Sequence, residues 1–128
     1  MNLLLDTHAF IWWLTDQSRL SARSLQALMN NDNTVTLSVA SIWEMTIKLK
    51  IGKLSVVGDL KDIVQQQVQV NRIHLLAISS VHALKTLDLP LHHRDPFDRM
   101  LIAQALSEEM TLITTDASMT AYGVNVWW

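Results

Sequence analysis

The stretch Leu3-Leu4-Leu5-Asp6-Thr7-His8-Ala9-Phe10 decides the fold. Three consecutive leucines with no polar alternation read as a short strand buried on both faces, the pattern of a parallel sheet covered by helices. A single acid follows, and helical sequence then runs from Thr7 to Leu14. Outward from that unit the alternation repeats. Ser18 or Ser21 can cap a second helix reaching about Asn30, because a hydroxyl accepts from the free N–H groups of a first turn. Val35 to Leu37 reads as a strand, and Ser38 precedes a long helix through Ser41, Trp43, Glu44, Ile47 and Leu49 that stops near Gly52. Asp59 caps a helix through Val70, Ile73 to Ile78 reads as a strand, and Ser80 begins a helix ending before Pro90. Asp95 followed by Pro96 is a helix start, since proline suits the first helical position; that helix is expected to reach about Met110. Leu112-Ile113 is a further strand, Ala117 to Tyr122 a short helix, and Val124 to Trp127 a last strand. The expectation is an α/β fold on a mainly parallel sheet, with ligands gathered outside the carboxyl ends of the strands.

Bulk properties limit the function classes. The chain has 128 residues and is 49% hydrophobic, enough for one packed core and too short for a second. Three glycines and two prolines leave no linker. The net charge of -2 argues against a protein that coats nucleic acid, so any such contact must be local. With no cysteine, thiolate metal sites and thiol nucleophiles are excluded. The N-terminus has no basic region followed by a long apolar run, and Ala9 to Leu14 is too short to span a bilayer. A cytoplasmic protein without membrane contact is the expectation.

Four acids stand where a surface does not need them. Asp6 and Asp116 each follow a probable central strand, a place where a turn or helix-capping residue is also common. Glu44 shares a helical stripe with Ala40, Ile47 and Ile51, where a charge is costly unless paired or bound to metal. An ion pair with Lys48 at i+4 is the alternative there. Asp98 shares a face with Leu101, Ile102 and Ala105, while Asp95 already answers the capping need. Carboxylates without cysteine favour a hard divalent cation, Mg²⁺ or Mn²⁺, and such a cluster suits phosphodiester cleavage. Lys48, Lys50 and Lys53 with Arg94 and Arg99 could form a basic rim for an RNA backbone, with Arg99 nearest to Asp98; solvated surface is the plainer reading. His8, His92 and His93 lack the spacing of a zinc motif. One tryptophan of each adjacent pair, Trp12-Trp13 and Trp127-Trp128, is a candidate for a partner surface, because neighbours on a helix or strand point apart.

With those residues in hand, the chain resembles the PIN-domain family, and more closely its VapC-type toxins of bacterial toxin–antitoxin pairs. Leu3-Leu4-Leu5-Asp6-Thr7-His8 is similar to the family's first acidic motif, and Ser38-Val39-Ala40-Ser41-Ile42-Trp43-Glu44 to its second. Asp95-Pro96-Phe97-Asp98-Arg99 with Ile102-Ala103 resembles the third, and Leu112-Ile113-Thr114-Thr115-Asp116 the fourth. The resemblance covers nearly the whole chain. It implies a single domain over residues 1–128, a three-layer α/β/α sandwich, and a Mg²⁺- or Mn²⁺-dependent endoribonuclease. It further implies a homodimer inhibited by a cognate antitoxin. Carried over, Asp6, Glu44, Asp98 and Asp116 form the acidic, metal-holding site, with Asp6 and Asp98 as first ligands. Thr7, Ser41 and Thr115 are expected to hydrogen-bond and orient those carboxylates. Some relatives carry a further acid where this chain has Ser118. A catalytically silent module of the same fold would lack an acid, and all four are present. A receiver-like signalling domain would need an acidic pair after the first strand and a late lysine; Asp6 stands alone, and no lysine follows Lys85.

Overall fold

A computed structural model describes all residues from Met1 to Trp128. Five strands form one sheet: β1 Asn2–Leu5, β2 Thr34–Ser38, β3 His74–Leu76, β4 Thr111–Ile113 and β5 Asn125–Trp127. Their order is β3-β2-β1-β4-β5, and every neighbouring pair is parallel. The expected parallel sheet is found, with β1 at its centre. Strand order turns back on either side of β1, so the crevice between β1 and β4 is the switch point where ligands gather in such sheets.

Six helices cover it: α1 Thr7–Thr15, α2 Ala22–Met29, α3 Val39–Lys50, α4 Leu60–Val70, α5 Ser80–Asp88 and α6 Pro96–Ser107. Short 3₁₀ turns lie at Gln17–Arg19 and Ala117–Tyr122. Side chains alternate across a strand, so the three leucines of β1 divide between two layers. Leu3 and Leu5 join Ala9 and Phe10 of α1, Ala27 and Leu28 of α2, and Met45 of α3. Leu4 faces the other way, with Leu112, Leu101 and Ile102 of α6, Met119 and Tyr122. All three leucines are fully buried, which is why no polar residue interrupts them.

The helix starts follow from local chemistry. Ser21 caps α2, Ser38 caps α3, Asp59 caps α4 and Asp95 caps α6, each accepting from a first-turn N–H. Ser18 lies instead in a 3₁₀ turn capped by Asp16. Two ends differ from expectation. Strand β3 is only three residues long, lying at the sheet edge beside β2 alone. Helix α6 stops at Ser107, because Glu109 adopts a left-handed φ of 55° and the Met110 N–H turns back to the Ala105 carbonyl at 2.8 Å. The two C-terminal tryptophans would face opposite sides if the last strand stayed extended to its end. Both instead pack on the layer of α1 and α2, because pairing ends at Trp127 and Trp128 is free to turn. No helix is long and apolar enough to cross a membrane.

Candidate active site

Three of the four acids come together at the carboxyl end of the β1–β4 crevice. Asp6 follows β1, and its N–H donates to the Ile113 carbonyl at 3.1 Å, which locks it beside the end of β4. Its Oδ1 accepts from the Ala9 N–H at 2.7 Å, so Asp6 does cap α1. The cap uses one oxygen. Asp6 is 8% exposed, and burial raises its pKa above the ordinary carboxylate value, with Glu44 adding to the rise. The Thr114 side chain, the Ala9 N–H and His8 pull the other way. Asp98, on the first turn of α6, has its pKa raised to about 6, first by burial and then by the negative charges of Asp95, Glu44 and Asp6; His93 opposes. Like charges in a desolvated crevice disfavour one another's ionised forms. Glu44, on α3, completes this group while accepting an ion pair from Lys48 at 3.3 Å. The i+4 pair foreseen in the sequence is thus real, and Glu44 remains within the field of the other two. Of its expected stripe-mates, Ala40 is buried, whereas Ile47 and Ile51 are exposed.

Asp116 is placed differently. It caps the Ala117–Tyr122 turn, accepting from the Ser118 N–H at 3.0 Å and from the Ser118 hydroxyl. Its Oδ2 accepts from His93 Nε2 at 2.8 Å, and His93 Nδ1 in turn accepts from the Tyr122 hydroxyl at 2.9 Å. The Ser118 hydroxyl bond, ahead of the His93 bond, lowers its pKa, against a smaller opposing effect of burial. Asp116 therefore stays ionised and is turned toward His93, the residue that also faces Asp98. No three acidic or histidine side chains share a common metal point as they stand. The donor chemistry nevertheless fits a hard divalent cation. Asp6, Glu44 and Asp98 offer only carboxylate oxygens, and the raised pKa values of Asp6 and Asp98 mark carboxylates that burial, and next their acidic neighbours, make costly to ionise until a cation arrives.

None of the three residues expected to orient the carboxylates, Thr7, Ser41 and Thr115, hydrogen-bonds one of them in the structure. Thr7 Oγ1 donates to Ser41 Oγ at 3.0 Å in the buried seam between α1 and α3. The role expected of Thr115 falls to its neighbour. Thr115 is exposed, whereas Thr114 is 1% exposed, interacts with Asp6, and accepts the Asp116 N–H at 3.1 Å. Register explains the exchange: Leu5 pairs with Ile113, so the next step of the pleat sets Thr114 beside Asp6. That register is a property of the folded sheet, and it is what selects Thr114. His93 and Tyr122 gave no signal in the sequence, because their partner lies in a turn more than twenty residues away from His93.

Two members of the expected basic rim, Lys48 and Arg99, are engaged within the fold, while Lys50, Lys53 and Arg94 are exposed. Arg99 donates to the carbonyls of Thr86 and Pro90, both at 2.8 Å, and more weakly to those of Leu89 and His93. It clasps the α5–α6 connection, so its donors are engaged by backbone carbonyls where RNA contact was the expectation. Lys48 is paired with Glu44.

Comparison with known proteins bears on the fold and the family. The ribonuclease VapC22 of Mycobacterium tuberculosis is 26% identical over 133 residues, covering 98% of each chain. The VapBC2 structure from Rickettsia felis, bound to a promoter DNA fragment, superposes with a TM-score of 0.74 at 15% identity, covering 99% of this chain and 98% of that one. A toxin–antitoxin complex from Klebsiella pneumoniae superposes with a TM-score of 0.63 at 18% identity, covering 98% and 96%. The model of the PIN domain matches residues 3–125, nearly the whole chain, and the protein belongs to the PIN domain family.

Proposed function

We propose that this chain is a Mg²⁺- or Mn²⁺-dependent endoribonuclease and the toxin of a toxin–antitoxin pair, folded as a single domain over residues 1–128. The carrying observation is the convergence of Asp6, Glu44 and Asp98 at the sheet's switch point, with the pKa of Asp98 raised to about 6 by burial and by its acidic neighbours. The ribonuclease name of the relative and the toxin–antitoxin assembly of the structural neighbour support the activity and the partner. So do the exposed Val81, Leu84, Leu87 and Leu91 along and just after α5, an apolar strip suited to an antitoxin or a second copy in a homodimer. A cytoplasmic location goes with this reading.

In this reading Asp6, Asp98 and Glu44 hold the cation, and Asp116 joins them when its carboxylate leaves His93 or shares it. The bound ion supplies Lewis acidity toward water and phosphate oxygens. The chain's own part is to keep those oxygens crowded and poorly hydrated. Asp98 carries a proton on its carboxyl near neutral pH in part of the population and releases it as positive charge arrives. Thr114 fixes Asp6, and His93 with Ser118 fixes Asp116, so the two acids flanking the crevice have set directions.

The test is Mn²⁺-dependent cleavage of single-stranded RNA by the purified chain. Asp6→Asn and Asp98→Asn are each expected to lower the rate by at least about a hundredfold, as loss of a metal-site group does. Unchanged cleavage in both variants would place the active site elsewhere.

A further inference from the structure

Resting on the ribonuclease reading, we propose that the rim of α1 and the C-terminal tryptophans form a track for single-stranded RNA leading to the acidic crevice. The track starts two residues past Asp6. The His8 ring lies 6.0 Å from Trp12, one turn along α1, and Trp12 meets Trp128 edge to face at 5.9 Å. Two guanidiniums sit on these indoles: Arg19 is 4.7 Å from the Trp12 ring centre, and Arg23 is 3.7 Å from that of Trp127. Trp127 is further tied to this segment by its Nε1–H, which donates to the Arg23 carbonyl. β5 runs parallel to β4, so Trp127 and Trp128 stand at the same carboxyl end of the sheet as Asp6 and Asp116.

Two features favour RNA over a plain packing role. Neither Arg19 nor Arg23 has a carboxylate partner; the side chains that meet a carboxylate are those of Lys48, His82 and His93. Both arginines are exposed, while Trp12, Trp127 and Trp128 are only half-buried against the core beneath them. Flat rings beside unpaired, delocalised cations are what single strands need, with bases stacking on the rings and phosphates meeting the guanidiniums. The charge balance is consistent with it: an acidic chain holds RNA through a local positive strip, and Arg19 and Arg23 supply one beside the aromatic rings.

The experiment compares wild type with the Arg19→Ala/Arg23→Ala double variant. Mn²⁺-dependent cleavage of a short single-stranded RNA is followed alongside binding of the same fluorescein-labelled RNA in EDTA at several salt concentrations. The double variant is expected to raise KM about tenfold with kcat within about twofold. Its log–log salt slope should fall by about 1.4, the value for two lost phosphate contacts on a single strand. Should wild type cleave RNA and the variant keep its KM and salt slope, the track is overturned and the ribonuclease reading stands. Wild type that neither binds nor cleaves RNA overturns the ribonuclease reading and the track with it. A variant that keeps RNA affinity but loses a co-purifying protein overturns the proposal in favour of protein docking. If the variant does not fold, wild type is crosslinked to 4-thiouridine RNA. Adducts on the peptides carrying Trp12 or Trp128 support the track, and adducts confined to other peptides overturn it.

Discussion

Asp98 carries the clearest single-residue consequence. Its carboxyl titrates near 3.8 when unfolded and at about 6 in the fold, so between those values the folded state holds a proton that the unfolded state has released. Stability contributed by the protonated form is therefore present at low pH and is lost as pH rises from about 4 to 6. Because Asp98 is only partly buried, solvent screening reduces the effect to about 1 kcal/mol. Asp6 shifts in the same direction and Asp116 in the opposite one, so the useful comparison is between proteins. In metal-free buffer, Asp98→Asn should melt higher than wild type at pH 7, with the difference shrinking by pH 4. A constant difference across that range would count against the charge-crowding account. Arg99 offers a second case. Arg99→Ala strips a charged donor from four carbonyls and should cost about 1–3 kcal/mol in chemical denaturation, and Arg99→Lys should recover little, since an ammonium cannot span the fork.

At the level of elements, the end of α6 is a point of strain. Glu109 sits at φ 55° with an exposed side chain, a conformation costing about 1 kcal/mol for any residue with a Cβ. Glu109→Gly should therefore raise stability by about 0.5–1 kcal/mol, measured as a shift in denaturant midpoint at constant slope. The same stop explains why the helix looked longer from its sequence, since Glu108 and Glu109 are ordinary helix formers. A partly buried hydrogen-bond network also ties α5 to the end of α6. The Ser79 N–H donates to His82 Nδ1 at 3.1 Å, and His82 Nε2 lies 2.7 Å from Glu108 Oε1, which orients the ring between the two helices.

For the whole molecule, the acidic crevice sets stability against function. Folding gathers Asp6, Glu44 and Asp98 at a cost that a bound cation offsets by mass action. At a hundredfold excess over its dissociation constant, Mn²⁺ should stabilise the fold by about 2.7 kcal/mol, roughly 10 °C in thermal unfolding for a chain of this size. The Asp6→Asn/Asp98→Asn double variant should lose most of that shift. An equal shift in both proteins would mean that the ion binds outside the crevice.

The order of elements, their types and most of their starts could be read from the sequence, because they depend on neighbours within one turn or one pleat. Unbroken leucines require burial on both faces, and Ser21, Ser38, Asp59 and Asp95 cap helices through N–H groups two or three residues away. Asp6, Glu44 and Asp98 stood out in the sequence as charges at a strand end or among apolar helical neighbours, although Ile47 and Ile51 beside Glu44 prove exposed. The tertiary structure alone decided which groups serve them. Thr114 replaced Thr115 through strand register, His93 reached Asp116 across the crevice, and Arg99 turned to carbonyls of the preceding connection. Those partners are set by how the chain crosses in space, and no local spacing encodes a hydrogen bond between residues brought together only when two layers close on the sheet.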